Sequence, residues 1–187
     1  GKTFTPKFNI TDTRMQVWLT DAVKSTGGKI KLSIKFEFTI PEYGSDRMGR
    51  LETKNGWIYE VAQWFPRMAV YDDIQGWNTL PYVGAGEFYC EYGDYDFSIT
   101  APSNLIIVGS GELQNPQDCY TPEQMNRWNT AKASDKTVVI RNDREVNDPA
   151  SRPRQANTTW KFKMTNARDV AWAASKAFVQ DEAKINL

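Results

Sequence analysis

The chain contains no histidine among its 187 residues. Histidine is the commonest zinc ligand and the usual general base in nucleophilic catalysis. Its absence excludes an imidazole-bound metal, a Ser-His or Cys-His pair and the H-E-x-x-H zinc helix.

The two cysteines, Cys90 and Cys119, are far apart in the sequence and form no C-x-x-C pair. We expect two separate thiols rather than a redox site, and a single disulfide in an oxidising compartment is the alternative.

Net charge and long apolar runs are also lacking. Lys plus Arg equals Asp plus Glu at 23 each, so no overall field attracts nucleic acid or an anionic membrane. The longest aliphatic run, Leu105 to Val108, is far too short to cross a bilayer. We therefore expect no nucleic-acid partner and no membrane span. The 40% hydrophobic and 25% charged residues are typical of a folded globular domain.

Alternation of apolar and polar residues recurs along the chain, and this period of two is typical of strands in antiparallel sheets. Turn-forming Gly, Pro, Asn and Asp residues separate the runs. The sequence predicts an all-β, sandwich-like fold of mainly antiparallel sheets, forming a single domain over 1–187. The predicted strands are Ile30 to Ile40, Trp57 to Val61, Tyr95 to Ile99, Leu105 to Val108, Val138 to Ile140 and Trp160 to Met164.

One helix is predicted near residues 121–132. Thr121 is an N-cap candidate, Pro122 suits the first helical position, and Gln124 completes a capping box. Apolar residues then follow at helical spacing. The charged stretch from Arg141 to Asn157 contains two prolines and almost no apolar residue, so we expect an exposed loop there.

Gly109 and Gly111 follow a predicted strand, as in a dinucleotide-binding turn. The third glycine of that motif would stand at position 114, which is Gln114, and Asn115-Pro116 follows instead of a helix. The pattern therefore favours a simple turn at the end of a strand.

Asp94 and Asp96 share one face of a predicted strand, with Glu87 and Glu91 just upstream. Paired carboxylates can hydrolyse glycosides, and clustered acids can bind calcium. Acids that alternate with apolar residues are also what a solvated strand face contains, and we favour that interpretation. The sequence gives no catalytic residue and no metal ligand.

A longer set of motifs carries a resemblance. The chain reads WIYEVAQWFPRMAVYD over 57–72, then Gly76-Trp77, Pro81-Tyr82, GEFY over 86–89, GDYD over 93–96, GSGEL over 109–113 and NARDVAWAAS over 166–175. This set, spanning roughly 13–187, resembles the N-terminal domain of the aminopeptidase N and leukotriene hydrolase family of zinc metallopeptidases, in a divergent bacterial branch.

The resemblance implies a saddle-shaped β domain packed beside a zinc catalytic domain that would lie beyond Leu187. Zinc is then expected in the parent's catalytic domain, no cofactor is expected in this chain, and peptide is the parent's substrate. Gln63 matches the family glutamine that lines the substrate pocket, and a sheet residue bonded to backbone groups is an equal alternative. Phe65 stands where the family has an acid or amide that holds the substrate's amine. This departure puts strict aminopeptidase specificity in doubt.

The same resemblance makes Trp64, Phe65 and Pro66 candidates for the domain interface. Ile185 and Leu187 join them, because the apolar alternation continues to the last residue and indicates a cut inside further structure. We expect a non-catalytic accessory domain, with a periplasmic or cell-envelope parent favoured. The alternatives are a free-standing β-sandwich module that binds glycan or protein, and a hydrolase with paired carboxylates.

Overall fold

The computed structural model describes residues 3–43 and 45–184. Most regular structure is β-strand in several antiparallel sheets, with two α-helices, one of them short, among these residues. The predicted fold class is therefore confirmed. No helix in this part of the chain has the length and apolar character needed to span a bilayer. The candidate interface residues Ile185 and Leu187 lie outside the described residues.

The strands are β1 (Lys7–Thr11), β2 (Arg14–Trp18), β3 (Met48–Thr53), β4 (Gly56–Val61), β5 (Tyr71–Asp72), β6 (Gly76–Trp77), β7 (Gly93–Pro102), β8 (Ile106–Gly109), β9 (Glu112–Leu113), β10 (Val138–Arg141), β11 (Asn157–Ala167), β12 (Trp172–Ser175) and β13 (Gln180–Glu182). The helices are α1 (Pro116–Cys119) and α2 (Pro122–Ala131), and the 3-10 turns are Asp143–Asn147 and Pro149–Ser151.

The chain forms two compact units. Unit 1 comprises residues 1–38 and 66–91, and unit 2 comprises 39–65 and 92–187. The prediction of a single domain over 1–187 stays a prediction.

Unit 1 contains two small hairpins. In the first, β1 and β2 pair antiparallel, with Phe8 opposite Val17 and Ile10 opposite Met15. In the second, β5 pairs with β6.

The strand predicted from Ile30 to Ile40 is not a paired strand in the structure, and this prediction is wrong. No strand pairing involves these residues in the described chain. Their apolar side chains are 39% to 47% exposed from Ile30 through Phe38. Alternation defines two faces of an extended segment but supplies no partner for its backbone, so the pattern alone did not ensure pairing.

Unit 2 contains the main core. One sheet has the order β3-β4-β12-β8 and another the order β7-β11-β9, all antiparallel. The long strand β11 places Phe162 opposite Phe97 of β7, and their rings stack with centroids 5.2 Å apart. Burial of such rings supplies much of the hydrophobic stabilisation. The buried apolar residues of this core are Ile106, Ile107, Cys119, Tyr120, Trp128, Ala131, Ile140, Trp160, Phe162 and Ala174.

The predicted helix is confirmed as α2. The Thr121 hydroxyl accepts from the Gln124 backbone N–H at 3.3 Å, and the Gln124 amide oxygen accepts from the Thr121 N–H at 3.1 Å. This is the predicted capping box. Trp128 and Ala131 are buried, so the helix covers the core with the face that its sequence spacing indicated.

The exposed loop predicted over Arg141–Asn157 is confirmed in part: most of its residues are exposed, but it contains the two 3-10 turns, and Arg141, Val146 and Ser151 are buried. Arg141 is only 1% exposed, and its guanidinium donates to the carbonyl oxygens of Lys176 at 3.2 Å, Val146 at 3.0 Å and Phe178. Burial lowers the pKa of Arg141 to about 10, so the group is still charged at neutral pH. A charge can be buried here because backbone oxygens replace its water.

Candidate functional site

Gln63 lies two residues after the end of β4, and its backbone has a φ of 50°. This is the left-handed region, which non-glycine residues rarely adopt and which costs on the order of 1 kcal/mol. Gln63 is half-buried and takes part in interactions within the fold. A strained, partly exposed polar residue at a strand end is a common feature of binding sites.

Trp64 fixes the chain immediately after Gln63. Its indole Nε1 donates to the carbonyl oxygen of Val170 at 3.1 Å, and its ring contacts Phe97 with centroids 6.2 Å apart. Val170 is itself buried in the segment before β12. The hydrogen bond and the ring contact join parts of the chain that are remote in sequence, so the position of Gln63 depends on unit 2 being folded.

Phe65 packs inward rather than standing free. Its ring lies edge to face against Trp64 at 5.1 Å and against Tyr95 at 5.7 Å. The Tyr95 hydroxyl in turn donates to the carbonyl oxygen of Arg168 at 2.9 Å. We call Trp64, Phe65, Tyr95 and Phe97 the aromatic cluster. It leaves Trp64 and Phe65 half-buried, with part of each ring still accessible.

The structure therefore brings three of the five candidate interface residues into a definite setting. Trp64 and Phe65 belong to the aromatic cluster, and Pro66 is exposed at the first residue of the second stretch of unit 1. Sequence reasoning did not identify the supporting residues Tyr95, Phe97 and Val170 as part of this site. Their only signal was that they fall within the motifs GDYD and NARDVAWAAS or directly beside them.

The acidic candidates on β7 face away from the core. Residues of this strand alternate between half-buried and exposed, with Asp94 and Asp96 on the exposed side. Asp94 accepts from the Asn166 backbone N–H at 2.9 Å, and Asp96 pairs across the sheet with Lys163. The solvated-face interpretation is thus confirmed. Within the described residues, no group of three His, Cys, Asp or Glu side chains could hold a metal ion.

The Gly109 to Gly111 segment is the turn that joins β8 to β9, as the sequence favoured. Gly111 has a φ of 85°, and a Cβ atom there would lie 2.3 Å from the Lys163 carbonyl oxygen. The glycine is required by this close approach of two backbones. The prediction that no helix follows needs correction, because the one-turn helix α1 begins at Pro116.

Both cysteines are free thiols. Cys119 is fully buried beneath β11, and its Sγ lies 3.8 Å from the carbonyl oxygen of Thr159. Burial, with a smaller contribution from Asp118, raises the pKa of Cys119 to about 12. A thiol of this kind is a poor nucleophile at neutral pH, so its role is packing.

A polar depression of about 280 Å³ lies at the start of α2. Arg127 lines it and bonds Glu145 at 2.7 Å and also Glu123, so its charge is matched locally. The hydrogen bond that Arg127 donates to the Glu145 carboxylate raises the pKa of Arg127. These ion pairs connect α2 to the following 3-10 turn, which is a structural role.

Comparison with known proteins returned no protein-family model, no curated protein and no solved structure that matches this chain. The fold defines the class of the molecule, an antiparallel β protein with two helices among its described residues.

Proposed function

We propose that this chain is a non-catalytic accessory domain of a zinc metallopeptidase of the aminopeptidase type, and that it forms one wall of the parent's substrate cleft. The sequence motifs resembling that class support the proposal. The observation that carries it is the setting of Gln63, a polar side chain in a left-handed backbone conformation beside the packed aromatic cluster. A substrate-contacting residue needs packing of this kind to hold it in place.

The partner in this proposal is the parent's own catalytic domain, which would supply the zinc and bind the peptide. The accessible parts of Trp64 and Phe65 are the proposed contact surface on unit 2. Pro66, Ile185 and Leu187 stay candidates from the sequence. Aromatic side chains that are only half-buried contribute strongly when a partner covers them.

Phe65 bears on the specificity of the parent. An acid at this position would bind the free amine of a peptide substrate, but Phe65 instead packs on Tyr95. A carboxylate would form a charge-assisted hydrogen bond with the charged amine. The Phe65 ring offers only a weak cation–π contact. The proposed parent therefore depends less on a free N-terminus than an aminopeptidase does.

The test begins with the coding sequence after Leu187, which should encode an H-E-x-x-H zinc helix. In that full-length protein, Gln63→Ala should raise KM for peptide substrates by on the order of tenfold while zinc content stays unchanged. Gln75→Ala, at an exposed position in unit 1, is the matched control and should leave KM unchanged. A downstream sequence without a zinc motif, or equal KM values for the two variants, would overturn the proposal.

The two rival functions find less support. A glycan-binding module needs a flat aromatic surface, whereas the exposed pair Tyr71 and Trp77 lies edge to face at an interplanar angle of 73°. A hydrolase with paired carboxylates needs two acids facing across a cleft, and Asp94 and Asp96 lie side by side on one exposed strand face. These observations favour the accessory-domain proposal over the glycan-binding module and the carboxylate hydrolase.

A further inference from the structure

Neither outer edge of the β1–β2 hairpin in unit 1 has a strand partner within the described residues. Within the described chain β2 pairs only with β1, so the opposite edge of β2 has no strand partner. Every residue of the hairpin strands is exposed except Val17, which is half-buried. A two-stranded hairpin is marginally stable in water, and a third strand with an apolar face is normally needed. An open edge also invites pairing with other molecules.

The segment Ile30–Phe38 has the properties of the missing strand. Its even-numbered residues are apolar and its odd-numbered ones are polar or charged. The rings of Phe36 and Phe38 lie parallel, 6.2 Å between centroids and 6° between planes. Side chains two residues apart adopt this arrangement when they share one face of an extended backbone.

The connection between β2 and this segment reverses the chain. Residues 25–27 form a turn, and Gly27 has a φ of 68°. A Cβ atom on Gly28 would lie 2.3 Å from the Lys24 carbonyl oxygen, so the two backbones approach closely there. A left-handed glycine in a short loop is typical of a hairpin connection, which returns the chain antiparallel to the strand it left.

We propose that Ile30–Phe38 closes onto the open edge of β2 as a third, antiparallel strand, with Val17 opposite Phe36 and Met15 opposite Phe38. The observed pairing of β1 fixes which face is apolar, because Phe8 lies opposite Val17. In the proposed register Val17 is therefore flanked by an aromatic ring on each side.

The remaining residues fit the same register. Met15 is flanked by Ile10 of β1 and Phe38, and Leu19 falls opposite Ile34. On the other face, Gln16 falls opposite Glu37. One position near the turn departs from the pattern, since polar Asp21 falls opposite an apolar residue.

A pairing shifted by one residue would place charged side chains on the apolar face of the sheet. A slip of one residue places Lys35 opposite Val17 and Glu37 opposite Met15, which moves every charge of the segment onto the apolar face. The close approach of Gly28 to Lys24 places residue 24 opposite residue 28, which is one residue out of the proposed register, so the proposed pairing includes a one-residue bulge between Gly28 and Ile30. A slip of two residues keeps the faces but requires a larger change in the loop. The proposal concerns the inside of unit 1 and is independent of the proposed peptidase role.

Cysteine pairs test the register directly. In a Cys90→Ser background, the pair Val17→Cys and Phe36→Cys should form an intrachain disulfide under mild oxidation. The control pair Val17→Cys and Lys35→Cys points to opposite faces and should link more slowly by on the order of tenfold, because disulfides require Cβ atoms about 4 Å apart. Mass spectrometry of the monomer and non-reducing electrophoresis distinguish the products. Equal rates for the two pairs, or links only between chains, would overturn the proposal.

Hydrogen exchange supplies a second test that needs no cysteine. In the wild-type chain, the amides of residues 30–38 should exchange on the order of tenfold more slowly than in an unstructured peptide. Ile34→Asp should remove that protection and promote association through the open edge, whereas Ser33→Asp, one residue away on the polar face, should retain it. Unprotected amides in the wild type, or equal loss in both variants, would contradict closure.

Discussion

Two segments with the same sequence pattern behave differently in this protein. Ile30–Phe38 in unit 1 and the Tyr95–Ile99 part of β7 in unit 2 both alternate apolar and polar residues. In unit 2, β7 pairs along the length of β11, and Phe97 stacks on Phe162. In unit 1 the alternating apolar side chains remain 39% to 47% exposed.

Alternation of apolar and polar residues therefore does not by itself produce a buried strand. A strand is buried when a second strand offers matching register and an apolar face, because isolated strands leave backbone N–H and C=O groups without protein partners. Unit 2 supplies such partners from residues more than 50 positions away, as the bond between Ser103 and Thr158 shows. The strand pairing of unit 2 therefore depends on long-range contacts, and that of unit 1 on local hairpins.

The largest effect should follow from Arg141→Met, which removes the buried guanidinium of unit 2. Four backbone carbonyl oxygens would each lose a hydrogen bond from this group, at a cost of about 3 kcal/mol in the free energy of unfolding. Chemical denaturation followed by tryptophan fluorescence measures this loss. Arg144→Met, at an exposed position in the same segment, is the control and should cost less than about 0.5 kcal/mol. Equal midpoints for the two variants would show that the buried arginine does not stabilise unit 2.

A smaller effect should separate two tryptophans, one from each unit. Trp64→Phe keeps an aromatic ring but removes the hydrogen bond to Val170, which should cost about 1 kcal/mol. Trp77→Phe, in the exposed hairpin of unit 1, should change the free energy of unfolding by less than about 0.5 kcal/mol. Thermal or chemical unfolding of both variants checks the difference. If Trp77→Phe proves the more costly change, the contrast between the two units is incorrect.

The smallest effect should come from a local turn in unit 1. The Asp72 carboxylate accepts from the backbone N–H groups of Gln75 at 2.7 Å and Ile74 at 3.0 Å, and from the Asn78 amide. These bonds, led by that from Gln75, lower the pKa of Asp72 below its ordinary value of 3.8. The ionised Asp72 carboxylate therefore stabilises the folded turn above pH 3.8. This stabilisation is lost as the pH falls through the lowered pKa that Asp72 has in the folded protein.

The measurement for this turn is the NMR signal of the Trp77 indole, whose ring contacts Tyr71. It should shift in the wild type as the pH is lowered below 3.8, and Asp72→Ala should give the low-pH signal throughout. Asp73→Ala, at the neighbouring exposed position, should titrate like the wild type. A wild-type signal that does not move with pH would exclude the carboxylate as the support of this hairpin.

Much of the fold could be predicted because its signals are local. The capping box at Thr121 and Gln124 depends on residues three apart, and the start of α2 followed from it. The strands around Trp160, Phe97 and Ile107 were recognisable from apolar runs bounded by turn residues. The β1–β2 hairpin was not predicted, since its alternation is short and is interrupted by charged residues.

The candidate site was predictable only in part. Gln63, Trp64 and Phe65 were selected from a family resemblance, but neither the left-handed backbone of Gln63 nor the bond from Trp64 to Val170 has a signature in the local sequence. Both arise because the end of β4 is held against β7 and the segment before β12. Contacts between residues so far apart are decided by packing rather than by propensity.

The sequence by itself determined the class of fold, the position of α2 and the exclusion of any histidine-based site, because composition, capping and period-two patterning act within a few residues. Tertiary structure alone decided that Arg141 is buried and that Ile30–Phe38 is left exposed. A guanidinium can leave water only where several carbonyl oxygens converge on it, and an apolar strand face is covered only where another strand lies beside it. Both conditions depend on the arrangement of distant segments, which local sequence does not encode.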